Sequence, residues 1–422
     1  MAWADAPDGL GGRSMIDSAT GAGSRRPIVN THIHLPPNFS AFTTVDDLVE
    51  QAATEGLRVL GSSNYHDFCV YEAFEAAAAR REIIALFGME IITFDEDLHR
   101  AGVKANDPDN PGRVYLCGDG ITGFQSPSPI ARALITGMRA ANVARAHRIT
   151  GHIREILSGA GLATTLSDED VVGQVADRAG VPRAWVVLQE RHVARGFQEE
   201  LFRAIRPAGR AAVLERAFGV PFTSNVEDAW AVQVAIRSQL MKAGRAAHEP
   251  EAPISFVDAC RLILELGGIP SYPLLADGAT PICGFEDPPQ ALAQRLVERG
   301  IYCAEVIPGR NRREMVDRYV RAFRAAGIVV LAGTEHNTPQ RIPLEPRCAC
   351  DERLSDLARD AFWQGTCVVA AHQYLARAGQ PGYVDREGRR NPDFRSDEAR
   401  IQWFRELGAA VIAAGPTMMA RR

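Results

Sequence analysis

Three times in the second half of the chain an amphipathic helix runs into glycine and then into a short apolar strand: residues 254–266, Gly267-Gly268 and 269–275; residues 289–299, Gly300 and 301–307; residues 312–326, Gly327 and 328–334. A helix stopped by glycine and followed by an apolar run is the repeating unit of a parallel sheet covered on its faces by helices. The same rhythm opens the chain, with a strand over 27–35 stopped by Pro36-Pro37, a helix over 45–55 capped by Thr44 and ended by Gly56, and a strand over 57–62. A helix over about 70–81, an apolar run over 83–94 broken at Gly88 and a short strand over 114–117 follow. Between about 126 and 250 the strand rhythm stops, and helices are expected over 130–158, 168–178 and 184–204. The pattern predicts one α/β barrel-like domain in two parts, 27–125 and 251–341, separated by a helical insertion over 126–250. A leader over 1–26 reads as disordered, and 342–422 as a C-terminal extension with helices near 352–363 and 396–407.

With 422 residues, 46% hydrophobic and 23% charged, the chain can bury a large core and needs no covalent staple. Its net charge of -5 argues against a general nucleic-acid or membrane-surface footprint. The eight cysteines form no Cys-x-x-Cys pair, and Cys348-Ala349-Cys350 fits neither a zinc ribbon nor a redox pair. No run of about 18 apolar residues is present and the leader lacks a secretory apolar core. A reducing, cytoplasmic setting is the expectation.

His32 and His34 stand two apart on the first strand, so both imidazoles leave the same face at its C-terminal end, where they can chelate one ion. His66 follows the second strand, Glu90 lies after Gly88 in the third, and Glu335-His336 closes the last. In a barrel of parallel strands those ends converge on one mouth, which makes a metal site of residues that singly would be unremarkable strand-end groups.

These residues resemble the PHP (polymerase and histidinol phosphatase) family. Asn30-Thr31-His32-Ile33-His34-Leu35 looks like its Asp-Xaa-His-Xaa-His strand, Asn64-Tyr65-His66-Asp67-Phe68 like its Thr-Asp-His-Asp, Gly88-Met89-Glu90-Ile91 like its Gly-Xaa-Glu-Ile, and Gly333-Thr334-Glu335-His336-Asn337 like its Gly-Ser-Asp-Xaa-His. The resemblance covers about 27–120 and 254–340 and implies a distorted seven-stranded (β/α) TIM-like barrel carrying metal-dependent phosphoesterase chemistry. It implies metal ligands at His32, His34, His66, Glu90 and Glu335. It also exposes departures. Ser40 stands near a common His or Asp, and Tyr115 and Tyr272 stand where the family has histidines that hold a second ion. If Glu335 replaces the family Asp, Asn337 takes the place of the final His and leaves His336 between them. One divalent transition metal ion (Mn, Zn or Fe) is therefore expected from a range of one to three, with Tyr115 and Tyr272 lining the pocket as hydrogen-bond donors. Arg191-His192-Val193-Ala194-Arg195 resembles part of an inserted lid, with His192 read as a helix-surface residue.

The implied reaction is hydrolysis of a small anionic substrate by a metal-activated water, with His66 or His336 moving the proton and Arg310 and Arg312 holding the anion. Asp67 and Asp119 are candidate outer partners. The lost second-metal histidines keep open a single-metal lyase, isomerase or non-phosphate hydrolase acting on a sugar-like molecule. A non-catalytic PHP-like binding module is the reading from another class.

Overall fold

The computed structural model describes residues 27–251 and 253–419; the leader lies outside them. Strand β1 (Ile28–Ile33) pairs in parallel with β2 (Leu57–Tyr65), and β2 with β3 (Ile84–Phe94). β4 (Arg113–Asp119) runs antiparallel to both neighbours, β3 and β6 (Ile269–Leu274). β6, β7 (Cys303–Val306) and β8 (Val329–Ala332) are again parallel, while the two-residue β5 (Ile254–Ser255) adds to the side of β3. The fully parallel sheet read from the sequence is corrected at β4. The connection from Phe94 to Arg113 holds only the five-residue helix Glu96–Arg100 and closes on itself, Asp95 N donating to Gly112 O at 2.7 Å, so the chain turns back beside β3 without crossing over the sheet.

The last strand returns to the first. Thr334 and Glu335 donate their backbone N–H to His32 O at 3.2 and 2.9 Å, and His34 N donates to Glu335 O at 3.0 Å. Seven strands thus make a nearly closed, distorted α/β barrel. The expected helices form its outer layer: Val45–Thr54 starts at Thr44, whose side chain accepts from Asp47 N at 3.2 Å, and Pro289–Glu298 and Arg313–Ala325 pack their apolar stripes against the sheet.

Alternation along the strands sorts the interior into two levels. The lower level is apolar: Val29, Val59, Ile84, Leu86, Ile269, Val329 and Leu331 pack with Val368, Val369 and Ala371 of the helix Asp356–Arg377. That helix and Asp397–Ala414 close the end of the barrel opposite the histidines. Gln373 satisfies the edge of β3 beyond the reach of β4: its Oε1 accepts from Phe87 N at 2.8 Å and its Nε2 donates to Ala85 O at 2.9 Å. The C-terminal extension is therefore the floor of the barrel, which the sequence did not show.

The insertion is helical, with Pro129–Gly159, Asp168–Ala179, Glu190–Ala204, Pro207–Phe218 and Ala229–Ile236. It builds a separate core around Ile149, Ile153, Phe197, Leu214 and Val232. The long helix Pro129–Gly159 joins the two bodies, with Ala131 and Met138 in the barrel core and Ile149 to Leu157 in that of the insertion. No described helix is long and apolar enough to cross a membrane, and Cys348 and Cys350 are free thiols.

Candidate metal centre and its cavity

The upper level of the interior is polar. His32 and His34 project from the end of β1, both about 1% exposed, and Glu90 projects from β3 between them and Tyr65. Glu90 Oε2 lies 3.7 Å from His32 Nε2 and 3.3 Å from His34 Nε2, while Glu90 Oε1 accepts from Tyr65 OH at 2.9 Å. The Tyr65 ring stacks on His34 at 5.3 Å and 8°. Burial would raise the Glu90 pKa, but the two imidazoles outweigh it and hold the carboxyl well below its usual range. For His32, burial opposes protonation, yet Glu305 and Glu90 raise its pKa well above the usual value.

Three buried nitrogens here, His32 Nε2 and both of His34, have no hydrogen-bond partner among the described residues. Orphaned buried polar atoms are costly and rare. Two imidazoles and a carboxylate whose ligating atoms lie within 4.8 Å of one another suit Zn²⁺, Mn²⁺ or Fe²⁺. The residues therefore fit the ion that the sequence implies.

Glu90 carries the cluster to the floor of a cavity of about 1110 Å³, with His32 and His34 buried behind it. Tyr65, His66, Glu90, Tyr115, Arg310, Glu335 and Asn337 line it from the barrel side. Asn142, Arg145, Glu190, Arg191, Arg237 and Lys242 line it from the insertion, so the insertion roofs the site. Phe39, in the turn after β1, ties roof to floor: its N–H donates to Gln189 Oε1 at 2.6 Å, and its ring lies 5.4 Å from that of His192 and 6.4 Å from that of Trp230. On the roof, Glu190 is gripped by Arg145, Arg237 and Lys242 at 2.7, 2.9 and 2.9 Å. Against the effect of its burial, these cations push its pKa down to about 2. Arg191 is different: it has no ion-pair partner among the described residues and lies 5.8 Å from the Phe39 ring and 5.5 Å from that of Trp230. Burial, followed by the neighbouring Arg237, lowers its pKa to about 10, so it stays cationic at neutral pH.

The remaining residues singled out from the sequence divide sharply. His66 lines the cavity with φ 47°, and its buried Nδ1 has no hydrogen-bond partner among the described residues. Burial pushes its pKa down to about 4, so near pH 7 it is neutral and able to accept a proton. Tyr115 lines the cavity, its ring 5.7 Å from Arg113, and burial keeps it a neutral donor. Glu335 reaches the cavity but is not part of the close cluster; its carboxylate pairs with Arg310 and accepts from Asn337 Nδ2 at 2.6 Å. Arg310 is thus at the site and partly neutralised.

Four expectations are corrected. His336 points away from the cavity, its Nδ1 2.7 Å from Thr334 Oγ1 and its Nε2 2.9 Å from Ile342 O, with its ring against Phe42. Tyr272 faces the outer helical layer and donates to the buried Glu286 at 3.1 Å, while Ser271 and Pro273 take the inward positions. Arg312 is held outside the cavity by Asp277, through Nε at 3.0 Å and Nη2 at 3.0 Å. His192 is buried, not on the surface, and its Nδ1 accepts from Gln189 N at 3.1 Å. Asp67 and Asp119 are both buried, and burial raises their carboxyl pKa values.

Sequence reasoning missed Tyr65, Cys117, Arg191 and Glu305. Glu305 alone had a readable signal, as the one acid inside the apolar strand Tyr302-Cys303-Ala304-Glu305-Val306-Ile307.

Fold and site together define a distorted seven-stranded α/β barrel with a His-His-Glu cluster at the C-terminal mouth of its parallel strands and a helical roof. No family model and no curated protein matches the sequence. Among solved structures, a candidate metal-dependent phosphoesterase from Bifidobacterium adolescentis superposes with a TM-score of 0.52 at 17% identity, over 80% of this chain and 96% of that one. An amidohydrolase from Chromobacterium violaceum, solved with bound sulfate and no metal, superposes with a TM-score of 0.51 at 16% identity, over 77% and 93%. At these identities the likeness is one of fold.

Proposed function

We propose that the protein is a metal-dependent hydrolase that cleaves a phosphate ester of a small anionic molecule. The observation that carries this reading is the convergence of His32 Nε2 and His34 Nε2, which lack hydrogen-bond partners among the described residues, on Glu90, which lines the floor of a roofed cavity. A divalent ion bound there would acidify water and polarise a phosphoryl oxygen. The chain's own groups do the rest. Tyr65 fixes the rotamer of Glu90 and leaves its Oε2 toward the imidazoles. Neutral His66 accepts a proton from the attacking water. Arg310, braced by Glu335, and Arg191, with no ion-pair partner among the described residues, hold the substrate's anionic oxygens. The roof limits bulk water and strengthens those contacts.

A second reading keeps the hydrolase but replaces the phosphate ester with an amide or a sugar-type bond. Tyr272 faces away and Glu335 is paired with Arg310, which leaves His32, His34 and Glu90 as ligands for one ion. Metal content per chain, measured beside hydrolysis of a phosphomonoester, a phosphodiester and an amide, separates the two. Metal uptake with turnover of phosphate esters supports the first, and uptake with amide turnover alone supports the second. A chain that takes up no metal and hydrolyses none of them overturns both.

The role of Arg191 has its own test. Losing one charge-assisted contact costs about 2 kcal/mol. Arg191→Met is expected to raise KM for an anionic ester by about 10- to 100-fold with a smaller change in kcat, and Arg191→Lys to recover part of it. Equal KM values for wild type and Arg191→Met would remove Arg191 from the substrate contacts.

A further inference from the structure

Strand β7 is four residues long, and its one charged side chain, Glu305, points into the barrel at 1% exposure. Burying a carboxylate costs several kcal/mol unless a partner compensates, and an apolar residue would fill this position without that cost. The partner is His32: Glu305 Oε2 lies 2.7 Å from His32 Nδ1. No lysine or arginine forms an ion pair with Glu305 among the described residues; its other neighbours are Asp119 and Cys117. The opposite nitrogen of the same ring, His32 Nε2, is the unpartnered one that faces Glu90.

A neutral imidazole has one N–H and one lone pair, and whichever nitrogen donates a hydrogen bond leaves the other to act as ligand. We propose that Glu305 is the positioning residue for His32: it accepts the Nδ1 proton, fixes the tautomer and the ring orientation, and so presents the Nε2 lone pair to the metal ion. This rests on the reading of His32 as a metal ligand and adds to it a residue from a strand that contributes no ligand of its own. The arrangement places the negative charge behind the ring, where it makes Nε2 a stronger donor. A competing arrangement is visible in the same structure, since His32, Cys117 and Glu305 also lie close enough to hold an ion. In that case Glu305 would be a ligand and not a positioning residue.

The experiment compares wild type, Glu305→Gln and Glu305→Leu, using zinc and cobalt as probes. Glu305→Gln keeps an acceptor oxygen and loses the charge, and it is expected to weaken zinc binding about 10-fold; Glu305→Leu removes both, and the loss is expected to reach about 100-fold. The ion count should stay the same, and the imidazole nitrogen resonances of zinc-loaded wild type should show His32 bound through Nε2 with a slowly exchanging proton on Nδ1. In Glu305→Gln that proton signal moves, which a merely structural role would not produce. If Glu305→Leu does not fold, Glu305→Gln decides. Wild-type zinc affinity and an unmoved His32 signal in a folded variant would overturn the proposal. So would a thiolate-to-cobalt charge-transfer band in wild type that disappears in Cys117→Ser, because it would make the deep cluster the metal site. Failure of wild type to take up either ion overturns the metal reading itself, a result distinct from uptake that ignores Glu305.

Discussion

His34→Ala and His32→Ala are each expected to abolish retention of a divalent ion and to lower hydrolysis by about 10³-fold or more, the scale of losing the ion's several kcal/mol of transition-state stabilisation. The two variants should nevertheless differ in stability. Removing His34 relieves two buried nitrogens without hydrogen-bond partners among the described residues but takes one imidazole from Glu90, which keeps His32 and Tyr65; the metal-free protein should therefore lose less stability than His32→Ala does. His32 is the partner of Glu305 at 2.7 Å and faces Glu90. Its removal leaves a buried carboxylate uncompensated, at a cost of about 3–5 kcal/mol at neutral pH. The sign with pH follows. Without the imidazole, burial raises the folded-state pKa of Glu305 above the unfolded value of about 4.3. The variant's deficit is then small below that value and grows as pH rises toward the new folded pKa. Denaturant unfolding of metal-free proteins between acid and neutral pH, beside elemental analysis, reads both effects. Full metal content in His34→Ala would end the proposed ligand set, and equal stability of the two variants at neutral pH would mean that Glu305 does not depend on His32.

What the sequence disclosed and what it withheld have physical reasons. Glycine stops after amphipathic helices marked β6, β7 and β8 to within two residues of their observed ends, because Gly267, Gly300 and Gly327 adopt positive φ there. The direction of β4 was hidden, since strand direction depends on where the chain travels between strands and not on the strand's own residues. The face of a strand is a parity question, and an error of one residue reverses every assignment. The resemblance aligns Tyr272 with an inward histidine, but the strand's parity turns Ser271 and Pro273 inward and Tyr272 out. His336 was ambiguous for a different reason: Glu335 and His336 have φ of 59° and 52°, so alternation no longer applies at that turn. Arg191 belongs to a roof built by the separate core of the insertion, and nothing local in the sequence aims it at the barrel.

The seam between β8 and β1 supports both histidines, and Gly333→Ala is the substitution that tests it without removing a ligand. Gly333 N donates to Val306 O at 3.0 Å, and a Cβ added to Gly333 would overlap His32 Cβ and meet His32 O and Cα at 2.9 and 3.0 Å. Two of those atoms are backbone, so no rotamer change makes room, and β1 would have to move away from β8. The movement weakens the bonds from Thr334 and Glu335 to His32 O that close the barrel and shifts the imidazole from Glu305 and Glu90. Overpacking of this kind costs about 3 kcal/mol. Metal affinity should fall by at least about 10-fold, because displacement breaks the outer hydrogen bond as well as the ligand geometry. Gly137→Ala is the matched control: it lies in the helix Pro129–Gly159 with open space around its Cβ, and it should stabilise the protein by about 0.5 kcal/mol. Unfolding and zinc titration of the two variants give the answer. A Gly333→Ala protein with wild-type zinc affinity would mean that His32 is held by its own strand and by Glu305 alone. Joint loss of stability and affinity would show that closure of the barrel and assembly of the metal site are one structural event.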